Sequence, residues 1–164
     1  MNMTNLKKLS KNIYSLPFDM KLNLNPEPAP KHRGPMINAL DFAMQNGTPI
    51  YTAKSGKVIE VIDKFRKGGA SELLRKSANL VRIQHKGDEY SEYAHLKYKS
   101  IKVKQEAMVY EGDLIGYSGE TGFTTYPHLH FMVYEFIEQK PGWRSLIVRF
   151  RINNKIHAFK SPKK

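Results

Sequence analysis

Tyr126-Pro127-His128-Leu129-His130-Phe131-Met132-Val133-Tyr134 is the segment from which the rest of the chain is best interpreted. Its run of aromatic and branched apolar residues predicts a β-strand over His128–Phe136. Because residues i and i+2 of a strand point to the same face, the imidazoles of His128 and His130 should emerge side by side, about 6–7 Å apart at the backbone. The strand therefore predicts two histidines that can share one site.

Short apolar runs separated by turns recur on both sides of this strand, and they predict a mostly β, antiparallel sheet domain. The further predicted strands are Pro49–Ala53, Gly56–Asp63, Asn79–His85, Glu89–His95, Ser100–Val103, Leu114–Ser118 and Ser145–Arg151. Turns are predicted at Asn46-Gly47, Lys86-Gly87-Asp88 and Asn153-Asn154, because Gly and Asn tolerate positive φ.

The length of 164 residues fits one domain. Alternating prolines at the end of residues 1–31 predict an extended N-terminal arm, since proline blocks both helix and sheet. We place the β domain at residues 32–152 and a basic tail at residues 153–164. Within the domain, Lys64–Ser77 contains Gly68-Gly69 and predicts a flexible insertion with one short helical turn.

Composition excludes several kinds of chemistry. There is no cysteine, so disulfides, thiolate catalysis and Cys-ligated zinc are ruled out. The 27 Lys and Arg outnumber the 15 Asp and Glu, and a net charge of +12 favours polyanionic partners such as nucleic acid, anionic lipid or cell-wall polymer without choosing among them. No apolar run reaches the roughly 18 residues of a membrane span, and no export signal is visible at the start.

Any metal site in a chain without cysteine must use histidine and carboxylate. His95 lies near the end of a predicted strand, and Asp41 is set between Leu40 and Phe42. An unpaired carboxylate among apolar residues costs several kcal/mol, and metal ligation is one compensation, a hydrogen-bonded turn being the other. A catalytic zinc needs three protein ligands and an open position.

The ordered fragments of this chain resemble the lysostaphin-type (LytM-type) zinc endopeptidases over residues 31–136. The resemblance is carried by His32, Asp41-Phe42-Ala43, Tyr93-Ala94-His95-Leu96, Gly112-Asp113-Leu114-Ile115-Gly116, Gly119-Glu120-Thr121-Gly122 and Pro127-His128-Leu129-His130-Phe131. It implies that His32, Asp41 and His130 bind Zn²⁺ and that His95 and His128 are catalytic. Residues 33–40 separate the first two ligands, a longer loop than many members have.

The resemblance also implies a fold with an open groove and hydrolysis of a peptidoglycan amide by a metal-activated water. The groove would be walled by the loop between His32 and Asp41, by Lys64–Ser77 and by Glu120–Tyr126. The positive charge of the insertion would recognise stem-peptide carboxylates or anionic wall polymers. A peptidoglycan substrate implies the cell envelope or the exterior, and we expect the domain to be a monomer.

Two other functions compete with this expectation. One is a non-catalytic wall-binding or amidase-activating module of the same fold. The other is a basic β protein that binds nucleic acid, although no aromatic nucleic-acid-binding motif is present, so a specific nucleic acid partner is not expected. Tyr93 lines the groove or packs inside, Trp143 stacks on sugar or covers the edge of the core, and His85 is expected to be structural.

Overall fold

The computed structural model describes residues 8–22, 25–27, 32–160 and 162, and strands dominate these ranges. Short 3-10 turns occur at Gly34–Met36 and Glu72–Leu74. The strands are β1 (Leu40–Ala43), β2 (Pro49–Tyr51), β3 (Gly56–Ile62), β4 (Gly68–Gly69), β5 (Leu80–His85), β6 (Glu89–Ala94), β7 (Met108–Val109), β8 (Leu114–Tyr117), β9 (Gly122–Phe123), β10 (His128–Phe136), β11 (Trp143–Ser145), β12 (Val148–Ile152) and β13 (Lys155–Phe159).

A seven-stranded sheet organises the domain, in the order β1-β10-β6-β5-β3-β7, with β11 also paired to β10. Its strand pairs are antiparallel. The predicted fold class, mostly β with an antiparallel sheet, is confirmed. Within the described ranges, no helix is both long and apolar enough to cross a membrane.

The two faces of β10 have different environments because its side chains alternate. Leu129, Phe131 and Val133 point into the main apolar core and are fully buried. Burial of each such side chain stabilises the fold by about 1.5–3 kcal/mol. His128, His130 and the residues that follow at every second position therefore lie on the opposite face, where the candidate site is built.

Most of the predicted strands are confirmed, with ends that differ by one or two residues. The prediction of a strand at Ser100–Val103 is wrong: this segment is held by isolated contacts, Ile101 N to Asp63 and Lys102 N to the Ile115 carbonyl, and not by a ladder. The single strand predicted at Ser145–Arg151 is two strands, because β11 pairs with β10 whereas β12 pairs with β13. The strands β1, β4, β7, β9 and β13 were not predicted.

Parts of both predicted end segments contribute to the fold. Tyr14, Leu16 and Phe18 are core residues, and Tyr14 forms a bridge with Phe150 of β12. At the other end, the turn at Asn153-Asn154, with φ of 48° and 61°, joins β12 to β13. Boundaries at residues 31 and 152 remain predictions, and the predicted extended arm falls partly on residues 1–7, 23–24 and 28–31, outside the described ranges.

The insertion at Lys64–Ser77 contains the expected helical turn, Glu72–Leu74, and also a short strand. In that strand, Gly68 and Gly69 pair in parallel with Gly122 and Phe123. Gly122 has a φ of +87°, and a Cβ added there would lie 2.8 Å from the Ala78 side chain. Only glycine meets both requirements, so the insertion is joined to the segment before β10 at a tightly packed point.

Candidate metal centre

Sheet register brings the predicted site residues together. Asp41 of β1 is directly opposite His130 of β10, and Ala94 of β6 is opposite His130 on the other side. His95 follows immediately after β6 with a φ of 62°, a left-handed conformation that ends the strand alternation. Its ring lies 4.6 Å from the ring of His128, centroid to centroid.

His32, Asp41 and His130 form a compact group of candidate ligands. One ligand atom from each lies within 4.8 Å of the others. Nε2 of His32 is 3.3 Å from Oδ2 of Asp41, and Nδ1 of His130 is 2.9 Å from Oδ1 of Asp41. The carboxylate thus stands between two imidazoles supplied by distant parts of the chain.

The catalytic candidates lie beside this group. His128 approaches Asp41 with Nε2 at 3.6 Å from Oδ1, and the ring of His95 is 5.9 Å from that of His130. Of the histidines predicted for the site, all four surround one buried carboxylate.

Backbone carbonyls set the proton position on three of these histidines. A carbonyl can only accept, so the ring nitrogen facing it must carry the proton. Nδ1 donates to a carbonyl in each case: His32 to Ala39 at 3.0 Å, His95 to Thr121 at 2.6 Å, and His128 to Tyr126 at 2.8 Å. Each of these three rings therefore has an unprotonated Nε2.

The pKa shifts of the site residues follow from burial and from the negative charge of Asp41. Burial raises the pKa of Asp41, but the hydrogen bond from His130 and the nearby imidazoles lower it more, so the net pKa lies well below its usual range. Burial lowers the pKa of His95 to about 3 and also lowers the pKa of His32 and His128. For His130, the effect of burial is outweighed by Asp41 and the net pKa is raised.

The residues present fit a divalent cation. Nε2 of His32 and Oδ2 of Asp41 are two electron-pair donors that face each other across 3.3 Å, an arrangement that a cation between them would stabilise. Two imidazoles and one carboxylate form a donor set suited to catalytic zinc. Because burial lowers the pKa of His32, His95 and His128, these three rings add no positive charge beside the Asp41 carboxylate, which can then attract a cation.

Four features of the site were not found by sequence reasoning: three backbone carbonyls and one glutamate. The carbonyls of Ala39, Thr121 and Tyr126 have no side-chain signature, although the loop Glu120–Tyr126 was expected at the groove. Glu92, whose Oε1 lies 3.9 Å from Nε2 of His130, is a second acidic residue beside the site, and only its position on β6 places it there.

The structure also shows where Tyr93, Trp143 and His85 lie. Tyr93 is not in the groove: it is fully buried in the core, where its hydroxyl accepts a hydrogen bond from Ala53 N. Trp143 packs against Tyr134, with ring centroids 5.9 Å apart. His85 is structural, bonded to the Ser55 carbonyl and to Ser91 Oγ.

Sequence comparison finds known proteins that match part of this chain. The chain is 35% identical over 121 residues to the peptidoglycan DD-endopeptidase ShyA of Vibrio cholerae, covering 70% of this chain and 25% of that protein. It is 36% identical over 98 residues to lysostaphin of Staphylococcus simulans, covering 60% of this chain and 18% of that protein. The chain therefore spans about a quarter or less of the length of these relatives.

Solved structures give the same result. A zinc-containing peptidase from Vibrio cholerae superposes with a TM-score of 0.56 at 31% identity, over 74% of this chain and 36% of the other. Lysostaphin from Staphylococcus simulans superposes with a TM-score of 0.54 at 27% identity, over 74% of this chain and 46% of the other. The model of peptidase family M23 matches residues 35–141, and the chain belongs to that family.

Proposed function

We propose that this chain is a zinc-dependent endopeptidase that hydrolyses an amide bond in peptidoglycan stem peptides or cross-bridges. The observation that carries the proposal is the convergence of His32, Asp41 and His130 on one point, with His95 and His128 beside it. Relatives named as a peptidoglycan DD-endopeptidase and as lysostaphin support the substrate. A structural relative described as zinc-containing supports the metal.

In the proposed reaction, His32, Asp41 and His130 would hold Zn²⁺. When bound, Zn²⁺ supplies Lewis-acid activation of a water molecule and of the scissile amide carbonyl. His95 and His128 would then transfer the protons. His95 and His128 are neutral at physiological pH because burial lowers the pKa of each, and each keeps an unprotonated Nε2.

The two Nε2 atoms are suited to general acid–base catalysis. One takes a proton as the water oxygen attacks the carbonyl carbon, and the same proton passes to the amide nitrogen as the C–N bond breaks. The carbonyls of Thr121 and Tyr126 hold the rings in place during this transfer, because each fixes the opposite nitrogen, Nδ1. The charge that develops on the imidazole is stabilised by Asp41, 3.6 Å from Nε2 of His128.

The insertion is proposed to recognise the acidic groups of the wall. The guanidinium of Arg66 lies 4.5 Å over the ring of Tyr98 and donates to its hydroxyl, three residues after His95 in the chain. This contact holds the Arg66 cation against Tyr98, in the segment that follows His95. Paired reversal of Arg66 and Lys67 to Glu should weaken sedimentation with purified wall most at low salt, and unchanged binding at every salt concentration would contradict this role.

Digestion of purified peptidoglycan tests the proposed function. Fragments released by the zinc-loaded protein, by the chelated protein and by His128→Ala are compared by mass. We expect products with new amino and carboxyl ends from the zinc-loaded protein alone. Intact wall under all conditions, with binding retained, would instead support the non-catalytic wall-binding module. Salt-dependent binding to oligonucleotides that is unaffected by a metal chelator would support the nucleic-acid function.

The proposed substrate also gives the location and state of the protein. Peptidoglycan places the enzyme in the cell envelope or outside the cell. Anionic wall polymers are proposed as secondary partners because of the net charge of +12, and the domain is proposed to act as a monomer.

A further inference from the structure

His130 differs from the other histidines of the site in how its second ring nitrogen is placed. The other three donate Nδ1–H to a backbone carbonyl. His130 instead directs Nδ1 towards Asp41, at 2.9 Å. Its Nε2 is buried and, within the described part of the chain, has no hydrogen-bond partner. A buried imidazole nitrogen without a partner carries a desolvation cost of about 1–3 kcal/mol.

Glu92 is the acidic residue nearest to this nitrogen. Its position on β6 is opposite Met132 of β10, one step along the same sheet face from His130. Oε1 of Glu92 lies 3.9 Å from Nε2 of His130, which exceeds a normal hydrogen bond of about 2.9 Å. The terminal torsion of a Glu side chain is broad in energy, so a small change in this separation carries little torsional cost.

The other oxygen of Glu92 is already held. Oε2 accepts from Nε of Arg82 at 2.6 Å, and the same guanidinium donates to Glu60 at 2.6 Å. Glu92 is buried, with 8% of its surface exposed. Arg82 therefore anchors one oxygen of Glu92, and the other oxygen faces His130. This arrangement is expected of a carboxylate that orients an imidazole.

We propose that Glu92 is a positioning residue of the metal centre, accepting the Nε2–H of His130 and so keeping the Nδ1 lone pair directed at the ion. This inference rests on the proposed function, because it assumes that His130 binds a metal through Nδ1. Arg82 of β5 anchors the far oxygen of Glu92, so a paired neighbouring strand holds this carboxylate beside the site.

The matched variants are Glu92→Gln and Glu60→Gln. Each removes one carboxylate that contacts Arg82 at 2.6 Å, but only the first changes the group facing His130. The affinity for Zn²⁺ alone is measured by chelator competition, with thermal unfolding of both metal-free variants as the control for folding. We expect Glu92→Gln to weaken Zn²⁺ affinity about 10-fold or more, and Glu60→Gln to leave it unchanged.

A second measurement needs no variant. In the zinc-loaded protein, ¹⁵N spectra of the imidazoles should show His130 protonated at Nε2, with a proton that exchanges slowly. Equal affinities for both variants and the unaltered chain, or a His130 protonated at Nδ1, would overturn the proposal. If the unaltered chain binds no Zn²⁺, the proposed function itself fails and this inference is withdrawn with it. If it binds Zn²⁺ and only the variants fail to differ, the inference fails alone.

Discussion

His95 and His130 differ in what their loss should do. His130 offers a candidate ligand atom next to Asp41, whereas His95 has an unprotonated Nε2 and lies outside the candidate ligand group. Loss of a ligand removes the metal, and loss of an acid–base group removes proton transfer while the metal stays. His95 and His130 should therefore differ in effect although their ring centroids are only 5.9 Å apart.

We predict that His95→Ala lowers peptidoglycan hydrolysis by about 10²–10⁴-fold, the usual contribution of general acid–base catalysis, with Zn²⁺ affinity largely retained. His130→Ala should lose the metal itself. Metal content by mass spectrometry and hydrolysis rates test both variants. The exposed His157 provides the matched control, since His157→Ala should change neither quantity. A metal-free His95→Ala protein would contradict the separation of roles.

The sequence predicted which side chains meet more readily than how they are held. His128 and His130 could be paired from the period of a strand, and Asp41 was notable as a carboxylate among apolar residues. His95 could be placed near the end of a predicted strand, and the resemblance supplied its role as well as the position and role of His32. The carbonyls of Thr121 and Tyr126 could not be predicted, because every residue has one and only the folded backbone shows where it points. Glu92 was missed because its link to His130 depends on the register of β6 against β10.

At the scale of elements, the segment Glu120–Tyr126 holds the rings of the two proposed catalytic histidines, His95 and His128. Its Thr121 carbonyl binds His95, and the Thr121 hydroxyl donates to the Leu96 carbonyl while accepting from Asn79 N. Strand β9 then fixes the segment to the insertion through Gly122. The strands of the main sheet could be predicted from period-2 patterns, but β4 and β9 could not, since two-residue strands built on glycine have no such pattern.

Gly122→Ala should destabilise the domain and slow hydrolysis. The substitution meets a positive φ, which costs about 1 kcal/mol, and places a Cβ 2.8 Å from the Ala78 side chain, where overpacking costs a further 1–3 kcal/mol or so. Because Gly122 follows Thr121, the carbonyl that holds His95 should shift. Denaturant unfolding and hydrolysis rates are the measurements.

The control for this variant is Gly112→Ala, where φ is +91° and an added Cβ has no heavy atom within 4 Å. It carries the backbone cost without the contact. Equal stability and equal activity of the two variants would contradict the importance of the Gly122 packing.

Strand β10 is also fixed at its far end, through Glu135. Lys8 and Arg144 both donate to its carboxylate at 2.8 Å. Burial raises the pKa of Glu135, but these hydrogen bonds lower it more, so the net pKa is lowered. A carboxyl whose pKa is lowered by folding stabilises the protein above its unfolded pKa, and that contribution is lost as the pH falls towards the folded value.

Glu135→Gln should therefore reduce the free energy of unfolding by about 1–2 kcal/mol at pH 7. The difference from the unaltered chain should shrink as the pH falls below the ordinary carboxyl pKa of 4.5. Chemical unfolding across pH measures it. Glu106→Gln, in an exposed pair with Lys57, should show a much smaller loss, and a pH-independent loss for Glu135→Gln would contradict the account.

At the scale of the whole molecule, Tyr14, Leu16 and Phe18 near the N-terminus belong to the core. Phe18 is 3% exposed and packs against Phe42 of β1, the strand that carries Asp41, with ring centroids 4.9 Å apart. Proline patterning predicts an extended arm over residues 1–31, and it gives no sign that Phe18, within that range, packs against Phe42. Apolar residues in a short segment without regular periodicity do not show in advance which surface they cover.

Phe18→Ala should lower the free energy of unfolding by about 3–5 kcal/mol, the usual cost of removing a buried aromatic side chain. Leu9→Ala, at a side chain that is 46% exposed, should cost far less. Thermal and denaturant unfolding compare the two. Similar losses for both variants would show that Phe18 is not part of the stable core.

The claim on which the function depends is that His32, Asp41 and His130 bind one metal ion together. Anomalous diffraction at the zinc absorption edge, from crystals of the zinc-loaded protein, tests it most directly. We expect a single strong peak in contact with Nε2 of His32, a carboxylate oxygen of Asp41 and Nδ1 of His130, with His95 and His128 beside it. A peak bound elsewhere, or no peak at saturating zinc, would contradict it.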